Sequence, residues 1–194
     1  MDTIICFVGE SGSGKSTIAE LLEKEGYNYI QSYTTRPKRS ENEKGHIFVH
    51  DDKLLRRKEA LSREELSADI IAYTFFDRYH YWATRQQYKN KGISIYVVDV
   101  AGIKELRSTV KDAAITTIYL NTDFNIRARR MYARKHHMNI DELERHAIVE
   151  DEDILRRLQH DSEAFRIVPC DYAVDCNRAI DDVIKDVKAI LENM

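Results

Sequence analysis

The segment "TIICFVGESGSGKSTIAELLEKEG", residues 3–26, decides how the chain folds. Its opening apolar run is typical of a strand that is buried on both faces. After the glycines, apolar side chains recur with helical spacing at Ile18, Leu21 and Leu22, and Gly26 is a residue suited to end a helix. The segment therefore predicts a strand, a tight turn and a helix in direct succession.

The turn itself, "GESGSGKS" at residues 9–16, matches the pattern G-x-x-x-x-G-K-[ST]. Its glycines allow the backbone to approach phosphate oxygens, so that N–H groups and the helix N-terminus can face an anion. Lys15 adds a charge at the β and γ phosphates, and Ser16 offers a hydroxyl to Mg²⁺. The pattern predicts that ATP with Mg²⁺ binds at Gly9, Glu10, Ser11, Gly12, Ser13, Gly14, Lys15, Ser16 and Thr17.

The alternation of strand and helix returns along the rest of the chain. "ISIYVVD" precedes "GIKELRSTV", "AAITTIYLN" precedes "DFNIRARRMYARKHH", and "YAVDC" precedes "AIDDVIKDVKAILENM". Repeated units of this kind predict an α/β fold, with a P-loop NTPase-type parallel sheet flanked by helices. Between them, "DIIAYTFF" and "RYHYWAT" predict short aromatic strands, which we interpret as a small antiparallel insertion.

Composition limits the classes of protein that the chain can represent. The 194 residues fit one domain, and 43% hydrophobic with 32% charged residues is typical of a soluble globular protein. A formal net charge of −3 argues against binding to a nucleic acid polymer or a membrane surface. The cysteines have no C-x-x-C spacing, and no apolar run approaches the ~20 residues that span a bilayer. We therefore expect a cytoplasmic protein without a disulfide framework or membrane anchor.

A second acidic component for Mg²⁺ is expected where another core strand ends. "IYVVDVAG" places Asp99 directly after an apolar run. The alternative is structural, because aspartate is also a preferred residue for capping the next helix. The D-x-x-G pattern of GTPase switches is also present, but no N-K-x-D follows it to recognise guanine in that way.

A basic cluster lies on a separate segment, "SYTTRPKR" at residues 32–39. Arg36, Lys38 and Arg39 are close together there, although the phosphate loop already provides for a nucleoside triphosphate. Two arginines are well suited to grip a phosphate with paired hydrogen bonds. The cluster predicts a second anion, and its alternative is a solvated basic loop.

These motifs occur in the order seen in guanylate kinases, which the chain resembles over nearly its whole length. The motifs that carry the resemblance are the phosphate loop, "SYTTRPKR", "GHIFV", "YHYWAT", "VVDVAG", and "RRMYARK" with "ELERH". The resemblance implies transfer of the γ-phosphoryl group of ATP to a nucleoside monophosphate, most readily GMP or dGMP, by a monomer or homodimer. It also implies one guanylate-kinase-like domain, with a core at 1–31, 92–126 and 160–194, an acceptor-binding insertion at 32–91, and a lid at 127–159.

The resemblance also assigns roles to individual residues. Arg36 and Arg39 would hold the acceptor's phosphate, Ser32 and Thr84 would face its base, and Asp99 would lie between base, ribose and metal. The residues implied in acceptor binding are Ser32, Arg36, Arg39, His46, Tyr81, Trp82, Thr84 and Asp99. The residues implied in catalysis are Lys15, Arg39, Arg134 and Arg145. Arg130 would also contact ATP, and Asn177, or Asp175 in a neighbouring alignment, would contact the adenine region.

Helical spacing supports the expected role of the lid arginines. Arg127, Arg130 and Arg134 share one face of a predicted helix, and acidic partners four residues away are absent up to Met138. An exposed structural face would explain the arginines too. Without acidic partners, however, the three cations predict that the helix faces an external anion.

Departures from the family pattern concern the acceptor. His46 stands where the family has a phosphate-binding tyrosine, and Trp82, beside Tyr81, replaces another. The glutamate that recognises guanine is expected near Ala72 or Tyr73, where no acid occurs, and the nearest candidate is Asp77. Two alternatives to a nucleoside monophosphate kinase therefore stay open. One is a kinase for another phosphorylated acceptor, such as ribose 1,5-bisphosphate, and the other is a non-catalytic protein-binding module.

Overall fold

The computed structural model describes residues 1–38, 41, 43–49, 69–76, 78–143 and 151–194. The strands in this part of the chain are β1 (Asp2–Val8), β2 (Asn28–Ile30), β3 (Ser32–Thr34), β4 (His46–Phe48), β5 (Ile70–Phe76), β6 (Tyr79–Thr84), β7 (Ile93–Val97), β8 (Ala113–Asn121) and β9 (Tyr172–Asp175). The helices are α1 (Lys15–Lys24), α2 (Val100–Thr109), α3 (Phe124–His136), α4 (Glu152–Ala164) and α5 (Ile180–Glu192). Arg39, Asp77 and Arg145 lie outside the described residues, so the roles implied for the two arginines stay predictions.

A five-stranded, mostly parallel sheet has the strand order β2-β7-β1-β8-β9 and is flanked by helices. β2 runs parallel to β7, with Tyr29 opposite Ile95, and β8 runs parallel to β9, with Leu120 opposite Val174. In β1, residues 4–8 are fully buried, which suits a strand with neighbours on both sides. The predicted α/β fold is confirmed.

A second sheet has the order β4-β3-β6-β5. β6 pairs antiparallel with both β3 and β5, as the aromatic strands predicted. β4 departs from this pattern, because it pairs parallel to β3, with Ser32 opposite His46. Parallel neighbours cannot be joined by a tight hairpin, so the chain must cross back between Thr34 and His46. The basic segment lies on this connection.

The chain divides into two compact units, one of residues 1–6 and 19–116 and the other of residues 7–18 and 117–194. The first unit has a core that includes the fully buried Ile5, Tyr88 and Leu106. In the second unit, α4 packs on α3 through buried Ile154 and Leu158 against Met131. Within the described residues, no helix combines the length and apolarity needed to cross a bilayer. The division into core, insertion and lid stays a prediction.

Truncation in the central strand tests the first of these cores. Ile5 is fully buried, so Ile5→Ala removes apolar contacts and leaves a cavity. We expect the free energy of unfolding to fall by about 2–5 kcal/mol, measured by denaturant titration. The control is Ile167→Ala, since Ile167 is 78% exposed and should change stability by no more than about 0.5 kcal/mol. Equal losses in the two variants would contradict the assignment of β1 to the core.

Candidate functional site

The phosphate loop joins β1 to α1 and requires glycine where its backbone is left-handed. Gly12 has a φ of 82° and Gly14 a φ of 100°, values that side-chain-bearing residues reach only with strain. A Cβ atom on Gly12 would also lie 2.8 Å from the carbonyl oxygen of Arg127. The loop therefore lies directly against the backbone of α3, with no room for a side chain between them.

Lys15 is turned back onto its own loop. Its Nζ donates to the carbonyl oxygens of Gly9 at 2.6 Å and Glu10 at 2.9 Å. Burial lowers the pKa of Lys15 to about 8, and the nearby carboxylates of Asp161 and Glu10 oppose this shift. The ammonium group is therefore charged at neutral pH and already desolvated, so phosphate oxygens can replace the carbonyl oxygens that it now contacts.

Two side chains of α4 meet the loop at Ser11. The backbone N–H of Ser11 donates to Asp161 Oδ2 at 2.7 Å, and Arg157 Nη2 donates to the Ser11 hydroxyl at 3.1 Å. Arg157 and Asp161 are one helical turn apart and share a face of α4. Sequence analysis missed both residues, because "EDEDILRRLQHD" has the mixed charges of a solvated helix. The only signal was their position beside the apolar Ile154 and Leu158.

Arg127 corrects the prediction of three uncompensated arginines on α3. It is only 5% exposed, with Nη2 3.7 Å from Glu10 Oε1 and Nη1 3.6 Å from Asp161 Oδ2. Its Nε donates to the carbonyl oxygen of Thr122 at 3.1 Å. The acidic partners were missed because they come from the loop and from α4 and not from the same helix. Arg127 is therefore a buried, compensated cation beneath the loop.

The other two arginines of this face also lie near the loop. Arg130 donates to the carbonyl oxygens of Gly12 at 3.4 Å and Cys176 at 3.0 Å. The charge of Arg134 contributes to the lowered pKa of Lys15, as does the charge of Arg157. The loop is consequently surrounded by cations from two helices, which favours the binding of a polyanion.

Asn177 links the ends of two neighbouring strands. Its Oδ1 accepts from the backbone N–H of Asp123 at 2.8 Å, and its Nδ2 donates to Asp123 Oδ1 at 3.3 Å. Its own backbone N–H donates to Asp175 Oδ1 at 3.0 Å. Asn177 and Asp175 therefore shape the turn after β9 together. The contact of either residue with adenine stays a prediction.

The second sheet carries the residues predicted to bind the acceptor's base and phosphate. Ser32 is buried, and its hydroxyl donates to the Tyr96 hydroxyl at 3.4 Å. Burial raises the pKa of Tyr96, so this phenol stays protonated. Trp82 stacks on Tyr33 with ring centroids 5.5 Å apart, and His46 lies 5.7 Å from Tyr81. These contacts form a polar and aromatic surface on β3, β4 and β6.

Thr84 ends β6 and begins a short 3₁₀ turn at Arg85–Gln87. Its backbone N–H donates to Gln87 Oε1 at 2.9 Å. Gln87 in turn donates from Nε2 to the carbonyl oxygen of Gln31, next to Ser32, at 2.7 Å. The turn after β6 is thereby tied to the start of β3, which brings the segments of Ser32 and Thr84 together.

Arg36 is held by an acid that the sequence did not single out. The guanidinium is 7% exposed and pairs with both oxygens of Glu43, Nη2 to Oε1 at 2.7 Å and Nη1 to Oε2 at 3.2 Å. It also lies over the ring of Phe48, 5.3 Å from the centroid. The alternative of a solvated basic loop is therefore wrong for Arg36, which is buried and oriented.

Asp99 caps helix α2, as the structural alternative predicted. Its Oδ1 accepts from the backbone N–H of Gly102 at 2.6 Å and lies 3.4 Å from the Thr74 hydroxyl. The cap uses one carboxylate oxygen and leaves the metal-binding prediction untested. Over the described residues, no group of three or more His, Cys, Asp or Glu side chains is arranged to hold a metal ion.

At the expected position of the guanine-reading glutamate, β5 presents Tyr73. The hydroxyl of Tyr73 lies 2.6 Å from His80 Nδ1 on β6. The backbone N–H of Tyr73 donates to the carboxylate of Glu105, which comes from α2. A carboxylate from α2 therefore reaches β5. In this structure it accepts from the backbone of Tyr73. Sequence spacing could not have identified Glu105.

The geometry defines a fold that known kinases share. No protein-family model and no curated protein matches the sequence. Among solved structures, a guanylate kinase from Anaplasma phagocytophilum is similar, with a TM-score of 0.64, 14% identity, and coverage of 99% of this chain and 85% of that one. A gluconokinase from Sinorhizobium meliloti 1021 has a TM-score of 0.51 and 15% identity, covering 98% and 92%. A Thermus thermophilus protein has a TM-score of 0.51 and 18% identity, covering 100% and 98%. The chain has the P-loop kinase fold.

The lowered pKa of Lys15 predicts a pH dependence for ATP binding. Lys15 carries its charge below a pKa of about 8 and loses it above. We expect affinity for ATP to be steady near pH 7 and to fall above about pH 8, by up to about tenfold per pH unit. Calorimetric titration across this range measures the effect. Lys15→Arg stays charged throughout, so its affinity should show no such fall. A wild-type affinity that is constant up to about pH 9.5 would contradict the assignment.

Proposed function

We propose that the protein transfers the γ-phosphoryl group of ATP to a nucleoside monophosphate, most readily GMP or dGMP, and so forms the diphosphate and ADP. The observation that carries this proposal is the phosphate loop with the desolvated Lys15 ammonium, and with Arg130, Arg134 and Arg157 nearby. The likeness to a guanylate kinase in overall fold supports the same activity. We also propose a cytoplasmic location, since Cys6 and Cys176 are buried and are not joined in a disulfide.

The loop and the cations would act on the transferring group. Backbone N–H groups of the loop would hold the β phosphate, and Lys15 would exchange its carbonyl contacts for β and γ oxygens. Arg134 and Arg157 would neutralise charge that spreads over the phosphoryl oxygens in the transition state. Because these groups are already positioned and partly desolvated, little reorganisation would oppose the reaction.

The chain offers oxygen ligands of the kind that Mg²⁺ prefers. Ser16 is exposed at the first turn of α1, and Asp99 has an oxygen beyond the one that caps α2. When bound, Mg²⁺ would offset the negative charge of the phosphates. Ser16 would hold the ion from the loop, and the metal-binding role of Asp99 stays a prediction from the sequence.

The acceptor would bind on the second sheet. Arg36 would exchange Glu43 for the acceptor's phosphate, and its stacking on Phe48 would keep the guanidinium oriented during the exchange. Tyr81 interacts with Arg36, and His46 contacts Phe48, with ring centroids 6.0 Å apart. Ser32 and Thr84 would face the base, with Trp82 as an apolar wall. Arg39 would add a second cation to the phosphate.

One observation favours a second candidate, a kinase of the same fold that acts on another phosphorylated acceptor, such as ribose 1,5-bisphosphate. Tyr73 and His80 form a pair where guanylate kinases place the carboxylate for guanine. Guanine N–H donors would lack that partner, and buried donors without an acceptor are costly. A non-catalytic binding module is the weakest alternative, because such a module needs neither Lys15 nor the surrounding arginines.

A phosphoryl-transfer assay with a panel of acceptors tests the proposal. ATP, Mg²⁺ and one of GMP, dGMP, AMP, CMP, UMP, ribose 1,5-bisphosphate or gluconate are incubated with the protein, and ADP formation is measured. We expect GMP or dGMP to be the best substrates. Lys15→Ala should abolish transfer, because no neighbour replaces its charge at the β and γ phosphates. Turnover of Lys15→Ala within a few-fold of wild type would contradict a catalytic loop, and preference for the bisphosphate would select the second candidate.

The role of Arg36 is tested by separating the two substrates. We expect Arg36→Ala to raise KM for the acceptor by about ten- to a hundredfold, since charge-assisted contacts to phosphate have this strength. KM for ATP should change by no more than about twofold. Arg166→Ala removes an exposed arginine and is the matched control, with both KM values unchanged. Equal losses for ATP and acceptor in Arg36→Ala would indicate that the Arg36–Glu43 pair is only structural.

A further inference from the structure

Asp161 of α4 places a carboxylate against the phosphate loop, where the negative charge of a ligand is expected. Its carboxylate is buried, with the residue 6% exposed, and it accepts the Ser11 N–H at 2.7 Å. That length is typical of a charge-assisted hydrogen bond. Asp161 therefore satisfies a loop amide in the way that a phosphate oxygen would.

The contact lies near the end of the loop where we propose that the β and γ phosphates bind. The motif lysine reaches these two phosphates, and Lys15 Nζ rests on the carbonyl oxygens of Gly9 and Glu10. Ser11 directly follows Glu10 in the chain. The Asp161 carboxylate is also close enough to Lys15 to oppose the lowering of its pKa. A γ phosphate held by Lys15 would thus enter the field of Asp161.

The other acid at the loop is held differently. Glu10 accepts from the Tyr119 hydroxyl at 2.8 Å and lies 3.7 Å from Arg127. Asp161 has Arg127 at 3.6 Å and His160 Nδ1 at 3.9 Å as charged or titratable neighbours, besides Lys15. Arg127 is shared between both acids, so it does not neutralise Asp161 alone. Arg157 also reaches the loop at Ser11, so the Asp161 carboxylate faces the loop with a cation beside it.

We propose that Asp161 is a specificity-determining acid of the phosphate loop, which holds the Ser11 amide while the loop is empty and selects against the third phosphate by charge repulsion. The inference rests on the proposed binding of ATP. ADP ends at the β phosphate and meets less of this repulsion. Asp161 therefore lowers the affinity for ATP relative to the affinity for ADP. This effect favours release of ATP when no acceptor is bound.

The test is Asp161→Asn, which keeps the shape and an oxygen acceptor for Ser11 but removes the charge. Calorimetric titrations with ATP and with ADP, each without acceptor, are made near pH 6.5, below the Lys15 pKa of about 8 in wild type. We expect ATP to bind about tenfold more tightly to Asp161→Asn, the scale of one charge interaction in a partly desolvated site. The affinity for ADP should change by no more than about twofold.

Two control variants separate charge from structure. Asp161→Glu keeps the charge and should bind ATP and ADP in the wild-type ratio. Asp153→Asn makes the same substitution on the same helix at an exposed position, 69% exposed, and should also keep that ratio. Because a merely structural contact affects both nucleotides, the ratio of the two affinities is the decisive readout.

Arg127 loses a partner in Asp161→Asn, so that variant can lose its fold. Arg127→Met with Asp161→Asn removes the buried pair together, and its comparison with Arg127→Met alone isolates the charge of Asp161. A folded variant with unchanged or weaker ATP binding, or with equal gains for ATP and ADP, overturns the inference. If wild type binds ATP but the variants give one of these contrary results, the proposed function stands and only the inference about Asp161 fails. If wild type binds neither nucleotide, both proposals fail.

Discussion

The contact of Gly12 with the backbone of Arg127 constrains the whole surroundings of the phosphate loop. Because the loop touches α3 with no side chain between them, the Arg127 guanidinium is buried beneath it. A buried cation is stable only with counter-charges, and Glu10 and Asp161 supply them. Asp161 is therefore fixed at Ser11, and α4 docks beside it. Arg157, on the same face of α4 as Asp161, also reaches the loop at Ser11.

Each of the two predicted phosphate sites contains an acid from the chain itself. Asp161 accepts from a loop amide, and Glu43 pairs with Arg36. The physical reason is the same in both places: groups that bind phosphate are half-buried or buried, and without a ligand they need other partners. The acids hold the loop amide and the Arg36 guanidinium in place. A phosphate ligand would have to compete with them, so its affinity would be a difference between two similar interactions.

On the second sheet, side chains from several strands form the surface where we propose that the acceptor binds. Trp82 and Tyr33 stack, His46 lies beside Tyr81, and Tyr73 contacts His80. Each pair joins residues on two different strands of the sheet. The side proposed to bind the acceptor's phosphate carries the cation Arg36. The side proposed to bind the base has hydroxyls, aromatic rings and an imidazole, so hydrogen bonds with little charge would set the choice of base.

The sequence by itself determined the α/β fold and the phosphate loop, because each depends on local properties: hydrophobic period and glycine conformation. It offered the cap at Asp99 only as an alternative to metal binding, and the phosphate-binding role of Arg36 stays a prediction. Only the tertiary structure decided which charges meet. Arg157, Asp161 and Glu43 had the local pattern of solvated surface, and Arg127 lacked partners on its own helix. These charges pair between elements that are distant in sequence, so the local sequence pattern around each residue cannot predict the pairing.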